Sequence, residues 1–136
     1  MVNYTKFKNM GVQQENQQTQ QENQQTQQED NRFMVAECDT QQSKQTFIQS
    51  HRVAVCKIYT DWCGPCKSLA EPYLELAKKH NKREQCFLFK QNAENKNVQC
   101  SVSSVPAFEI YLEGKLVKKV EGGIRIKDLE ELITNI

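Results

Sequence analysis

Two cysteines, Cys63 and Cys66, flank a Gly-Pro pair in the stretch WCGPCK, directly after the apolar run at 53–60. At the start of a helix, side chains three apart share a face, and their α-carbons fall within the ~4.4–6.8 Å that a disulfide tolerates. A thiol at the N-cap meets unpaired backbone N–H groups and the positive end of the helix dipole, and both favour its thiolate. Cys63 is therefore the candidate nucleophile. Cys66, one turn inside and better shielded, is the candidate resolving thiol, which attacks the Cys63 sulfur in a mixed disulfide. Pro65 fits a first turn that needs no N–H there and stiffens the loop, while Gly64 keeps bulk out of the approach path. Two rivals use the same residues. A CxxC pair is half of a tetrahedral zinc site, but the other half is missing: Cys86 and Cys100 lie 14 apart, and His51 and His80 stand alone. A chance cluster without redox chemistry is the other rival, and the strand-then-helix context argues against it.

The elements around this pair follow from hydrophobic spacing. FMVAEC at 33–38 reads as a short strand, and 40–51 as a weakly amphipathic helix burying Phe47 and Ile48. VAVCKIYT at 53–60 is β-branched and apolar apart from Lys57, as a strand buried on both faces would be. A helix then runs from near Cys63 towards His80 with Leu69, Leu74, Leu76 and Ala77 as its apolar side. CFLFKQ at 86–91 is a second central strand, followed by a polar stretch with room for a short helix. AFEIYLEGKLVKKV gives two strands around Glu113-Gly114-Lys115. IKDLEELITNI spaces Ile126, Leu129, Leu132, Ile133 and Ile136 at helical intervals. Single strands alternating with helices predict an α/β fold, a mixed β-sheet flanked by helices with an antiparallel hairpin at its edge.

Upstream, 13–30 repeats QQENQQT with a period of seven. The segment has no apolar residue for a coiled-coil seam, so its composition predicts a disordered Gln/Asn-rich tail at 1–32 ahead of a domain at 33–136. A formal charge of +1, from 18 basic and 17 acidic side chains, carries no footprint for nucleic acid or an anionic membrane, and neither partner is expected. No stretch resembles a leader or a membrane span, so a soluble cytoplasmic protein is expected. In such a compartment six cysteines do not read as a disulfide framework, and any disulfide is a working one. Cys38, Cys56 and Cys86 lie on or beside strands and are expected in the core. Cys100, in a loop, is the candidate regulatory or intermolecular thiol, and both histidines are expected to border turns.

WCGPCK and the order of elements resemble the thioredoxin family over 33–136. The resemblance implies a thioredoxin fold and a dithiol-disulfide oxidoreductase that reduces protein disulfides through a reversible Cys63–Cys66 bridge. Its implied donor is a flavin- and NADPH-dependent thioredoxin reductase, and no cofactor is needed in the chain. It also implies a cis peptide at Val105–Pro106, with Pro106 against the disulfide and the Val105 backbone pairing with substrate, while Trp62 forms the docking rim flanked by Asp61 and Tyr59. Gly122 matches the family's glycine before the last helix. The central Gly-Pro favours a reductant over an isomerase or a glutathione-dependent enzyme. A more oxidising thiol oxidase or isomerase, and a non-catalytic interaction module, are the alternatives. Departures from the pattern are Ala107 after the cis-proline site, Pro72 displaced by one position, a slightly shortened segment before Val105, and Lys57. Lys57 stands six residues before Cys63, where the family holds a buried aspartate thought to relay protons. Either it snorkels to water, or it faces Cys66 and tunes that thiol, as a charge or as a neutral base.

Overall fold

Six of the seven residues of β1 (Val53–Tyr59) are buried, so this strand has to lie inside the sheet with both faces covered. The structure, a computed structural model, describes residues 33–82 and 85–136. The tail expected at 1–32 lies outside the described residues. β1 pairs in parallel with β2 (Cys86–Asn92) and antiparallel with β3 (Ala107–Leu112), and β4 (Lys115–Glu121) closes the order β2-β1-β3-β4. Glu113 and Gly114, both with positive φ (51° and 84°), make the two-residue turn between β3 and β4, the turn that suits strand twist.

Helix α1 (Gln41–Gln49) starts at a capping box between Thr40 and Ser43. Ile48 of α1 joins Ala54, Cys56, Ile58 and Phe89 in the core beneath one sheet face. Helices α2 (Gly64–His80) and α3 (Ile126–Thr134) pack against each other, with Lys79 and His80 both reaching Glu130, at 2.6 and 3.1 Å. The Tyr73 hydroxyl of α2 bridges the Val55 and Phe89 carbonyls at 3.1 and 2.7 Å, which ties the helix to the two central strands at once. Asn81 adds a second tie, since its side-chain amide pairs with both the N–H and the carbonyl of Leu88.

Several expectations change. The strand expected at 33–38 is reduced to a single parallel bridge, Glu37 to Lys90. The polar stretch after β2 forms turns instead of a helix, because Asn92 and Asn95 side chains accept from backbone N–H groups two residues on and hold it in Asx turns. On α2, Leu69 and Leu74 are only half-buried, while Tyr73 and His80 are buried. His80, the last residue of α2, borders the turn at 81–82 as expected, and it is also packed against α3. Phe47 is half-buried, and Lys44, one turn earlier, is buried in its place.

Lys44 is covered because it has partners: Glu109 at 2.9 Å and Gln91 at 2.7 Å, all three nearly inaccessible. Burial alone would raise the Glu109 carboxyl, but the Lys44 bond and charge, with hydrogen bonds from Tyr111 and Ser101, hold it below its ordinary value. Removing one member of a buried pair leaves an uncompensated charge, so Lys44→Met is expected to cost about 3 kcal/mol. The double variant Lys44→Met with Glu109→Met is expected to cost less, as read by urea unfolding. A depressed folded carboxyl also fixes the sign with pH. The Glu109 contribution is complete above the unfolded value of about 4.3 and fades as pH falls through the lower folded value.

Candidate active site

Cys63 is the N-cap of α2, in extended backbone (φ −85°, ψ 111°), and its sulfur accepts the Cys66 N–H at 3.1 Å. The sulfur therefore sits where the helix presents unpaired donors, the environment that stabilises a thiolate. Cys63 and Cys66 are joined in a disulfide with α-carbons 5.2 Å apart, and Cys66 is the deeper of the two. Pro65 lies in the first turn. A Cβ on Gly64 would meet nothing within 4 Å, so this glycine leaves open space beside the sulfurs and fills no tight contact.

Trp62 is 70 % exposed, and its indole N–H donates to Glu94 at 3.1 Å, which fixes the ring at the rim. Val105–Pro106 is cis and immediately precedes β3. Since Ala107 pairs with Ile58, the start of β3 lies beside the end of β1, and the Val105–Pro106 bond comes to the sheet end from which the chain runs on to Cys63. Val105 is half-buried and Pro106 buried. Tyr59 is turned inward, its hydroxyl donating to Glu37, and burial followed by that carboxylate raises its phenol far above the ordinary value. Asp61 remains exposed on the rim.

Lys57 is 5 % exposed, and its ammonium donates to the Cys66 carbonyl at 3.3 Å. The rings of Tyr59 and Tyr73 lie 5.9 and 5.6 Å from it, within cation–π range. Lys90 is its register partner on β2 and carries the same charge. Burial, and then the Lys90 charge, bring the Lys57 amine down to about 8. Of the two arrangements open to it, this lysine therefore takes the one that faces Cys66.

Sequence reasoning missed Lys90, Glu37, Glu94 and Thr60. A signal for Lys90 did exist: VAVCK and CFLFK each place a single cation at the fifth position of an apolar strand, and parallel pairing sets the two side by side. Cys38 and Cys56 are fully buried, Cys86 is buried, and Cys100 is exposed. Burial raises the Cys56 thiol well above its ordinary value. Among the described residues no helix is long and apolar enough to cross a membrane.

The family model for thioredoxin matches residues 34–135. Thioredoxin F, chloroplastic, from Oryza sativa subsp. japonica is 36% identical over 107 residues, which cover 71% of this chain and 53% of that protein. The chain spans about half the length of the curated relatives it matches. Among solved structures, thioredoxin f from spinach chloroplast (long form) is 29% identical with a TM-score of 0.62, covering 74% of this chain and 84% of the other. A complex of ferredoxin:thioredoxin reductase and thioredoxin f2 matches with 29% identity and a TM-score of 0.62, over 74% of this chain and 93% of the matched one.

Burial sets an order of thiol reactivity. In the native disulfide form, iodoacetamide is expected to label Cys100 and to leave Cys38 and Cys56 untouched, read by peptide mass spectrometry. Reduction is expected to add Cys63. Labelling of Cys38 or Cys56 without denaturant would contradict this order.

Proposed function

Because the chain belongs to the thioredoxin family, we propose that it is a dithiol-disulfide oxidoreductase that reduces protein disulfides. The observation that carries this reading is the Cys63 sulfur at the N-cap of α2, bridged to the deeper Cys66. In the cycle the Cys63 thiolate attacks one sulfur of a substrate disulfide, and the other substrate sulfur leaves as a thiolate that takes up a proton. Cys66 then loses its proton and attacks the Cys63 sulfur, which releases the second substrate thiol and leaves the disulfide form of this chain. Two electrons from an external donor restore the dithiol. A thioredoxin reductase is the partner we assign to that step, supported by the matched complex of ferredoxin:thioredoxin reductase with thioredoxin f2. Substrate backbone pairs with Val105 beside Pro106, while Trp62, Gly64 and Pro65 form the docking rim. Pairing through main-chain groups makes the enzyme tolerant of substrate sequence. The chemistry suits any compartment that keeps thiols reduced, the cytoplasm included.

Lys57 takes two parts in this scheme. Its neutral fraction accepts the Cys66 proton when the mixed disulfide is resolved, and its ammonium stabilises the Cys66 thiolate by opposite charge. The second part would favour the dithiol and make the couple more oxidising than one with a carboxylate there, so the Lys57 ammonium at the Cys66 carbonyl is the observation in favour of an oxidase or isomerase as the second reading.

Insulin reduction by dithiothreitol tests the catalytic assignment. Cys63→Ser is expected to abolish acceleration, and Cys66→Ser to accumulate a mixed disulfide through Cys63. Acceleration that survives both substitutions would leave only an interaction module. The amine titrates near 8, so neutral base grows as pH rises through that value. The resolution rate is therefore expected to climb across roughly pH 7–9, and Lys57→Gln to lose about tenfold at pH 7 with its rising limb displaced upward. An unchanged pH profile in Lys57→Gln would remove the base from the mechanism.

A further inference from the structure

Behind the disulfide lies a hollow of about 170 Å³ lined by Lys57, Tyr59, Thr60, Cys66, Ala70 and Lys90, together with Asp61 and Lys67. It opens to solvent past the exposed Asp61 and Lys67. Two features of its lining are unfinished. Thr60 is 4 % exposed, and among the described residues its hydroxyl has no hydrogen-bond partner. A buried hydroxyl left without a partner is costly and uncommon in a folded protein. The second feature is charge. Among the described residues no carboxylate comes within ion-pair distance of the Lys57 ammonium, whose one hydrogen bond is to the Cys66 carbonyl. Lys90 has Glu37 only at 3.9 Å, and the same Glu37 oxygen also takes the Tyr59 hydroxyl. Asp61, on the rim, is the carboxylate that lines the hollow itself.

A water molecule would answer the hydroxyl and leave the charge as it is. An anion answers both, since one oxygen can accept from Thr60 while others accept from Lys57 and Lys90, and charge-assisted bonds of this kind are among the stronger ones. We propose that this hollow binds a small free oxyanion of the phosphate type, held by Lys57, Thr60 and Lys90 behind the redox disulfide.

The site is coupled to the redox state, because a Cys66 thiolate would place negative charge against the same hollow. The oxidised protein therefore binds the oxyanion more tightly than the reduced protein, and by reciprocity the oxyanion favours the disulfide. Cellular oxyanion would then oppose recharging of the dithiol, a regulation that rests on the proposed redox cycle. Binding to the oxidised protein does not rest on it.

The test is a titration of the oxidised full chain with inorganic phosphate, with sodium chloride adjusted to hold ionic strength constant, followed by amide NMR shifts. Saturable shifts centred on Lys57, Thr60 and Cys66 are expected, with affinity about tenfold weaker in Thr60→Val and in Lys90→Met, as the loss of one charge-assisted bond implies. Weaker binding to the reduced protein is also expected. Absence of saturable shifts at these residues, or equal affinity in wild type and both variants, would overturn the proposal. A protein that reduces insulin but binds no phosphate overturns this inference alone, and one that binds phosphate but reduces no disulfide overturns the reading of function alone.

Discussion

A lysine ammonium in the interior of a sheet is expensive unless something nearby compensates it. Here Lys57 lies behind Cys66 with a backbone carbonyl and two aromatic rings for company, and with a second lysine as its strand neighbour. Burial and the Lys90 charge lower the proton affinity of the amine, while the carbonyl and the rings favour its charged form, and at about 8 it stays mostly protonated at neutral pH. The lysine is thus able to act in both forms. The sign for stability is also fixed: the folded state disfavours the charged form, so the burden is full below about pH 8 and disappears above the ordinary lysine value.

The rest of the site depends on keeping α2 in place against that strand. Two contacts hold it to the sheet: the Tyr73 hydroxyl between the β1 and β2 carbonyls, and the Asn81 side chain on Leu88 of β2 at the helix end. Helix and strand are therefore positioned together, and the Cys66 carbonyl is held over Lys57 as a consequence. On the opposite face the Lys44–Glu109 pair is also buried, but there the charges meet and are hydrogen-bonded. The contrast separates a buried pair that is internally balanced from a buried cation that is not.

Much of this was legible in the sequence because it is written in short-range pattern. Val53–Tyr59 reads as a buried strand from its β-branched run, and Cys63 reads as a helix cap from the Gly-Pro that follows it. The Glu113-Gly114 turn and the α3 stripe of Leu129 and Ile133 are likewise local signals. What escaped depends on pairing over long separations. Lys44 looks like a solvent residue until Glu109 and Gln91 are brought to it. His80 reads as a helix end, which it is, but only the fold brings Glu130 of α3 over it. Thr60 is an ordinary strand-end residue in the sequence, and only burial without a hydroxyl partner among the described residues sets it apart.

A positive group stands behind Cys66 where the family holds a negative one, and the proposed consequence of its charge is a favoured dithiol. The reduction potential of the Cys63–Cys66 couple, measured by equilibration with glutathione at pH 7 in wild type and in Lys57→Asp, addresses this most directly. The wild-type value is expected at least ~30 mV above the roughly −270 mV characteristic of thioredoxin, a difference of about 1.4 kcal/mol for two electrons, with Lys57→Asp moving back down. A wild-type potential at or below the thioredoxin value, or no change in Lys57→Asp, would contradict the electrostatic role of the lysine.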